Sequence, residues 1–356
     1  MLFRSLPSMW QGRPVVRISG GFLCENKKIR SIEIPDSVTS LGDSAFARCI
    51  NLQSVRLSKN IREISNWAFE GTALTVVEIP NSVKYIGQEA FEDCTSLHTV
   101  VLGAGVETID EMAFRNTALE SVQMPKSLRT IDRSAFRECT KLTVVTLNEG
   151  LTKLGVCAFY GAPVLTITLP KTLRNMHGSV FEKCKNLKTV TIEDGVTEIG
   201  ASAFVTSGLE SVVRIPKSVD EVGSLAFYGC KLKQVIFEAN DGTKIKEIGE
   251  MAFEQNRTLE TAVLPDGLQE IAQQMFQDCD AMSRVYIPAS VQSIGLDAFQ
   301  GCKLTDVYYG GTREQWNKIK KQKGNGALGR AEFHENASGA ALQTAEIGRA
   351  SCRERV

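Results

Sequence analysis

Apolar positions along the chain recur with a period close to 23 residues. Leu52, Val55 and Leu57 begin one unit, and Ile61, Ile64, Ala68 and Phe69 complete it. Leu97, Val100, Leu102, Val106, Ile109, Ala113 and Phe114 repeat the same pattern. Phenylalanine marks the register most sharply, at Phe22, Phe46, Phe69, Phe91, Phe114, Phe136, Phe159, Phe181, Phe204, Phe227, Phe253, Phe276 and Phe299. The steps between them are 24, 23, 22, 23, 22, 23, 22, 23, 23, 26, 23 and 23 residues, so thirteen of the sixteen phenylalanines share one repeat position. A self-similar period of this size belongs to a repeat architecture rather than to one closed core.

Within a unit the first segment, Leu-x-x-Val-x-Leu/Ile, has strand character, with branched apolar residues alternating near its end. Proline often follows, at Pro35, Pro80, Pro125, Pro170, Pro216, Pro265 and Pro288. Lacking an N–H, it marks where strand pairing stops. Glycine after the second apolar pair (Gly42, Gly87, Gly155, Gly200, Gly223, Gly249 and Gly295) is expected to allow a turn that other residues resist. A small alanine before the phenylalanine lets the ring enter a tight interior. No single unit can bury its apolar face, but stacked neighbours bury a continuous core. The predicted fold is a solenoid of about thirteen coils of 22–23 residues with parallel strands.

Two unit types alternate. One carries cysteine three residues after phenylalanine, at Cys49, Cys94, Cys139, Cys184 and Cys230; the other has a corner one residue shorter, as at Gly71–Leu74 and Asn116–Leu119. The parent unit is therefore about 45 residues, itself a duplicated pair. The alternation breaks after Cys230, where residues 238–244 lengthen one turn and Cys279 and Cys302 fall in consecutive coils.

The units resemble the BspA-like family of leucine-rich repeats over roughly residues 13–337. The motif Ile-Pro-x-Ser-Val-x-x-Ile-Gly-x-x-Ala-Phe stands nearly intact at Ile34–Phe46 and Ile79–Phe91. Val307-Tyr308-Tyr309-Gly310-Gly311-Thr312 through Trp316 is similar to the closing coil of bacterial members, and Asn325, Ala327, Leu328, Ala331 and His334 match its remainder. The resemblance implies a parallel-stranded solenoid at the cell surface or secreted, engaged in adhesion or protein recognition. The repeat domain is expected over residues 6–337, with a tail at 338–345. Residues 1–5 and 346–356 resemble translated sequencing adapters and are expected to be foreign to the protein, Cys352 among them.

Composition narrows the chemistry. Lys+Arg and Asp+Glu balance at 41 each, which gives no reason to expect nucleic acid as a partner. No run of 18 apolar residues is present, so no membrane insertion is expected of the part seen. The ten cysteines contain no C-x-x-C pair. Alternate coils lie about two strand spacings apart, beyond the roughly 7 Å a disulfide spans between Cα atoms, so the repeated cysteines read as small buried hydrophobes. Cys279 and Cys302, one coil apart, are expected to be thiols as well.

Candidate catalytic signals dissolve into the repeat. Gly324–Gly329 spells G-x-G-x-x-G, but a lysine-rich stretch precedes it and no βαβ unit surrounds it. His98, His177 and His334 sit in distant coils, and Gly42–Phe46 resembles a nucleophile elbow only because the repeat does. Lys318, Lys320, Lys321 and Lys323 read as a solvated terminal face. No catalytic residue, metal ligand or cofactor is expected. One row stands out. The outward residue between Val and Leu of each strand runs Arg56, Glu78, Val101, Gln123, Thr146, Thr168, Thr191 and Arg214, then turns apolar at Ile236, Val263, Tyr286 and Tyr308. These last four are the candidate partner-binding residues if they form an apolar patch facing solvent; the alternative is ordinary strand propensity on a solvated sheet, with a capping segment covering Tyr286 and Tyr308. The expected function is non-enzymatic protein recognition or adhesion through the strand-lined face. The alternatives are the targeting module of an enzyme whose catalytic domain lies elsewhere, or a structural stalk.

Overall fold

Each repeat closes as one coil: a front strand, a turn that carries proline in seven coils, a two-residue second strand, and a corner built on the phenylalanine. The computed structural model describes residues 5–238, 245, 247–339 and 342. They fall in two compact units, Met1–Leu187 and Lys188–Val356. The adapter-like residues 346–356, including Cys352, and most of the lengthened turn at 239–244 lie outside the described residues.

In the first unit the front strands are parallel and in register, with Ile32 opposite Val55 and Val77 opposite Val100. Behind them the strands Glu63–Ile64, Tyr85–Ile86, Thr108–Ile109, Thr130–Ile131, Lys153–Leu154 and Asn175–Met176 form a second parallel sheet of six. In the second unit six front strands pair in the order Val212–Ile215, Gln234–Phe237, Thr261–Val263, Arg284–Ile287, Asp306–Tyr309 and Glu332–His334. This is the parallel-strand solenoid expected from the period. Between the sheets, prolines turn the chain by one recurring bond: the N–H three residues on reaches back to the proline carbonyl, as from Val38 to Pro35 and from Val83 to Pro80.

The phenylalanines stack along each unit. Phe46 to Phe69 is 5.3 Å between ring centroids and Phe136 to Phe159 is 5.3 Å, with planes within 10°. In the second unit Phe204, Phe227, Phe253, Phe276 and Phe299 continue the motif at 5.1–5.5 Å. Phe22, the first of the row, is the exception: it is 47% exposed and meets Phe46 edge-on. Among the described residues Phe46 is the one ring that it meets.

The corner explains why so many ordinary residues take a left-handed backbone. Two positions before and two after phenylalanine, φ is positive, as at Ser44 (55°), Arg48 (56°), Trp67 (54°), Glu89 (53°), Leu225 (61°) and Thr206 (51°). Alternating the backbone in this way aims successive N–H groups at the next coil. Ser44 donates to Asn66, Phe46 to Ala68 and Arg48 to Glu70. The intervening N–H groups close tight turns, as from Ala45 to Gly42 and from Cys49 to Phe46. Buried amides of the corner such as those of Phe46, Phe91 and Phe136 thereby find acceptors in the next coil, which offsets a strain of about 1–2 kcal/mol per left-handed residue.

The repeat glycines serve a different purpose from the one the sequence suggested. None of Gly42, Gly87, Gly155, Gly223, Gly249 and Gly295 has positive φ. They allow close backbone approach instead: a Cβ on Gly155 would lie 2.5 Å from the amide nitrogen of Arg133.

Candidate interaction face

Because side chains alternate across a strand, the first and third residues of each front strand face outward. In the first unit they remain open. Val76, Glu78, Thr99, Val101, Ser121, Gln123, Val144 and Thr146 are all exposed. Val76 (41%), Val101 (54%) and Val144 (52%) leave large apolar groups in solvent. A trough of about 730 Å³ runs over this face, lined by Arg56, Val76, Glu78, Val101 and, at its wall, Pro80, Asn81 and Ser82. A second of about 600 Å³ adjoins it across Asn81, Val101 and Leu102 and reaches Gln123 and Lys126. Arg56 is held at 2.5 Å from Glu33 and 3.4 Å from Asp36, an exposed cluster that shapes the surface more than it stabilises it.

The second unit treats the same positions differently. Ile236 pairs with Val263, Val263 with Tyr286 and Tyr286 with Tyr308, so the row read from the sequence is real and in register. Its expected exposure is not. Ile236, Val263 and Tyr286 are buried and Tyr308 is half-buried. Leu342 packs against Val263 and Tyr286, with Tyr308 and Ala337 at the edge of the cluster. Gly339 lies against the Tyr286 ring. The Tyr286 hydroxyl donates to Asp266 at 3.2 Å; burial, and then that carboxylate, push its pKa up to about 12.

His334 extends the row. It is the register partner of Tyr308 and stacks on its ring at 4.4 Å, while its Nε2 lies 2.8 Å from Asp306. That bond, then the Thr305 hydroxyl, hold the Asp306 carboxyl below its ordinary range. Asp306, Glu332 and His334 bring ligand-type atoms within 4.8 Å of one another, with the Arg284 charge bearing on the same carboxylate. The arrangement is a hydrogen-bonded cluster on the sheet face. Reading His334 as a scattered histidine missed it; the alternation Glu332-Phe333-His334, one strand beyond the closing motif, was the available signal.

The remaining motifs have structural roles. Asn325, inside the G-x-G-x-x-G string, donates to Gly295, Gln322 and Lys323 and accepts from the Phe299 amide. It caps the last phenylalanine of the ladder. His98 and His177 are exposed. Among the described residues all nine cysteines are free thiols, Cys279 and Cys302 included, and seven are buried. Lys318 pairs with Glu314 at 2.7 Å, whereas Lys321 lies over the Trp316 ring at 4.5 Å and donates to its carbonyl. No described helix is long and apolar enough to cross a membrane.

A family model described as the BspA type leucine rich repeat region matches residues 18–143, 107–214 and 209–319. Among solved structures, a leucine-rich repeat protein from Bacteroides ovatus is similar at 26% identity and a TM-score of 0.67, over 94% of this chain and 92% of that one. The pneumococcal vaccine antigen PcpA shares the fold at 19% identity and a TM-score of 0.54, over 95% of this chain and 90% of that one. A leucine rich cell surface protein from Faecalibacterium prausnitzii aligns at 24% identity and a TM-score of 0.43, over 91% and 92% of the two chains. No curated protein matches.

Proposed function

The chain belongs to the BspA-type leucine-rich repeat family, and from that premise we propose that it is a non-enzymatic module that recognises protein at a cell surface or in a secreted setting. Leucine-rich repeat solenoids are generally binding surfaces, because stacked strands present a long row of side chains that can vary without disturbing the core. The observation that carries the reading is the open front face of the first unit. Val76, Val101 and Val144 stay exposed there although the strand pattern tolerates Ser and Thr at those positions. Exposed apolar groups rimmed by Arg56, Glu78, Asn81 and Lys126 are the composition of a recognition surface.

The test is positional. A photo-crosslinking side chain at Val101 should capture protein from intact cell surfaces, and the same group at exposed Asp93, on the opposite corner, should not. The Val101→Glu variant should lose that capture at unchanged melting temperature. Equal capture at both positions would refute a dedicated front-face site.

A further inference from the structure

The strands Asp306–Tyr309 and Glu332–His334 bring together three side chains of metal-binding type. Glu332 and His334 stand two residues apart on one strand, so the period of two puts both on its outward face. The neighbouring parallel strand sets Asp306 opposite Glu332 and Tyr308 opposite His334. A carboxylate oxygen from each acid and a ring nitrogen of His334 consequently lie within 4.8 Å of one another.

Two of the three groups are already aimed. Asp306 accepts the Thr305 hydroxyl on Oδ2 at 2.7 Å, which leaves Oδ1 toward His334 Nε2, 2.8 Å away. The Tyr308 ring lies 4.4 Å from the imidazole and 15° from parallel, and so fixes the plane in which Nε2 points. Neighbours of this kind orient metal ligands and raise their affinity. Zinc bonds of about 2.0–2.2 Å to nitrogen and carboxylate oxygen put ligand atoms roughly 3.3 Å apart around one ion. Glu332 is exposed, so turning its side chain closes the remaining distance. Charge agrees. The two carboxylates contribute two negative charges, and Arg284, the register partner of Asp306 on its other side, returns one.

We propose that Asp306, Glu332 and His334 form a zinc site of one nitrogen and two oxygens, which ties the strand Glu332–His334 to the strand Asp306–Tyr309. With the imidazole proton on Nδ1, Nε2 presents its lone pair to the ion in place of the hydrogen bond to Asp306. The nitrogen donor selects zinc over calcium and magnesium, which prefer oxygen throughout. Three protein ligands leave one coordination position for water. The site goes beyond recognition at the front face of the first unit and does not depend on it.

The experiment uses the full chain with Cys24, Cys157 and Cys352 changed to serine, which leaves only the seven buried cysteines. The probe is zinc chloride, titrated calorimetrically near neutral pH. One zinc per chain should bind, and Glu332→Gln and His334→Gln should each weaken it by at least about tenfold. Zinc should raise the melting temperature of the parent and leave that of both variants unchanged. Because Glu332 is exposed, Glu332→Gln should melt with the parent when zinc is absent, which separates lost binding from lost folding. Diethyl pyrocarbonate followed by peptide mass spectrometry locates the ion: zinc should shield His334 and leave exposed His98 and His177 as reactive as before. A parent that binds no zinc, or binds it no better than Glu332→Gln does, overturns the proposal. Zinc that shields His98 or His177 as strongly as His334 overturns it too. Calcium that displaces zinc at equal concentration would show a site of oxygens alone and exclude His334 as a ligand.

Discussion

The thiol of Cys94 donates to the backbone carbonyl of Phe69 across a coil boundary, with sulfur and oxygen 3.1 Å apart. Cys139, Cys184, Cys230, Cys279 and Cys302 make the same bond to Phe114, Phe159, Phe204, Phe253 and Phe276. Asn256 stands at the cysteine position of its own coil and reaches Phe227 through its amide, so the position selects a small donor and not merely a small hydrophobe. Burial pushes the Cys94 and Cys139 thiols up to about 11 and Cys184 and Cys230 to about 12. Thiolate is the reactive species. Native protein treated with iodoacetamide at pH 8 should therefore be labelled promptly at exposed Cys24 and not at the seven buried cysteines, as read by peptide mass spectrometry. Cys94→Ala should cost about 0.5–1.5 kcal/mol, the loss of one hydrogen bond, because the Phe69 carbonyl keeps the Thr72 amide and hydroxyl as donors.

The phenylalanine row predicts a contrast within one residue type. Phe136 is fully buried between stacked rings, so Phe136→Ala should lower unfolding free energy by about 3–5 kcal/mol. Phe22 is half exposed and among the described residues meets one ring, edge-on, so Phe22→Ala should cost well under half of that. Denaturant midpoints of the two variants decide it; equal losses would mean that the first coil is packed as tightly as the rest.

The register of this fold was legible because side chains carry it: phenylalanine spacing gave the coil length and alternating Val and Leu gave the strands. The left-handed positions were not legible, because Ser44, Trp67, Glu89 and Thr206 share no side-chain chemistry; their conformation follows from where the amide must point. The covered apolar row was half legible. Its four members could be read from strand alternation. The cover could not, since Gly339 and Leu342 lie in a stretch with no repeat pattern and reach Val263 and Tyr286 from far along the chain. Sequence periodicity describes a coil's neighbours and is silent about segments that fold back.

Backbone geometry makes opposite predictions for two glycine exchanges. Thr206 is exposed and β-branched at φ 51°, and Gly229 fills the equivalent place in the next coil. Thr206→Gly should leave stability unchanged or raise it by up to about 1 kcal/mol, as relieved strain meets the entropy of glycine. Gly155→Ala forces a methyl group to 2.5 Å from the backbone of the previous coil and should cost about 1–3 kcal/mol. Thermal melts in which Thr206→Gly proves the more damaging would contradict this account of the corner.

Glu92 gives the stability a dependence on pH. Its carboxyl is buried and shares a hydrogen bond with Glu89, which pushes its pKa up to about 8 although Arg115 lies 2.7 Å away. A carboxyl with a raised folded-state pKa favours folding while protonated. That contribution is complete below its ordinary value of 4.5 and is lost as pH rises through about 8. Glu92→Gln should accordingly melt like the parent at pH 4 and above it at pH 9. A variant less stable than the parent at pH 9 would show that the Arg115 pair outweighs burial.

The end of the second unit predicts where unfolding begins. After Phe299 the ladder gives way to a different cluster: Trp316 meets Tyr309 at 5.2 Å and Phe333 at 5.1 Å. Arg313 lies over the Phe333 ring at 3.7 Å. Thr312 and Gln315 form a capping box that starts the short helix Arg313–Lys318 and sets the Trp316 ring in place. Replacing Trp316 with alanine should cost about 3–5 kcal/mol, as for other buried aromatics. In a repeat array that loss acts first on the nearest coils, because each coil is held mainly by its neighbours. Hydrogen exchange of Trp316→Ala should therefore release the Gln322 amide, bonded to Ile294, before the Phe204 amide, bonded to Ala226. Simultaneous release would show that the unit unfolds as one cooperative block, and the aromatic cluster would then be an ordinary part of the core rather than its clasp.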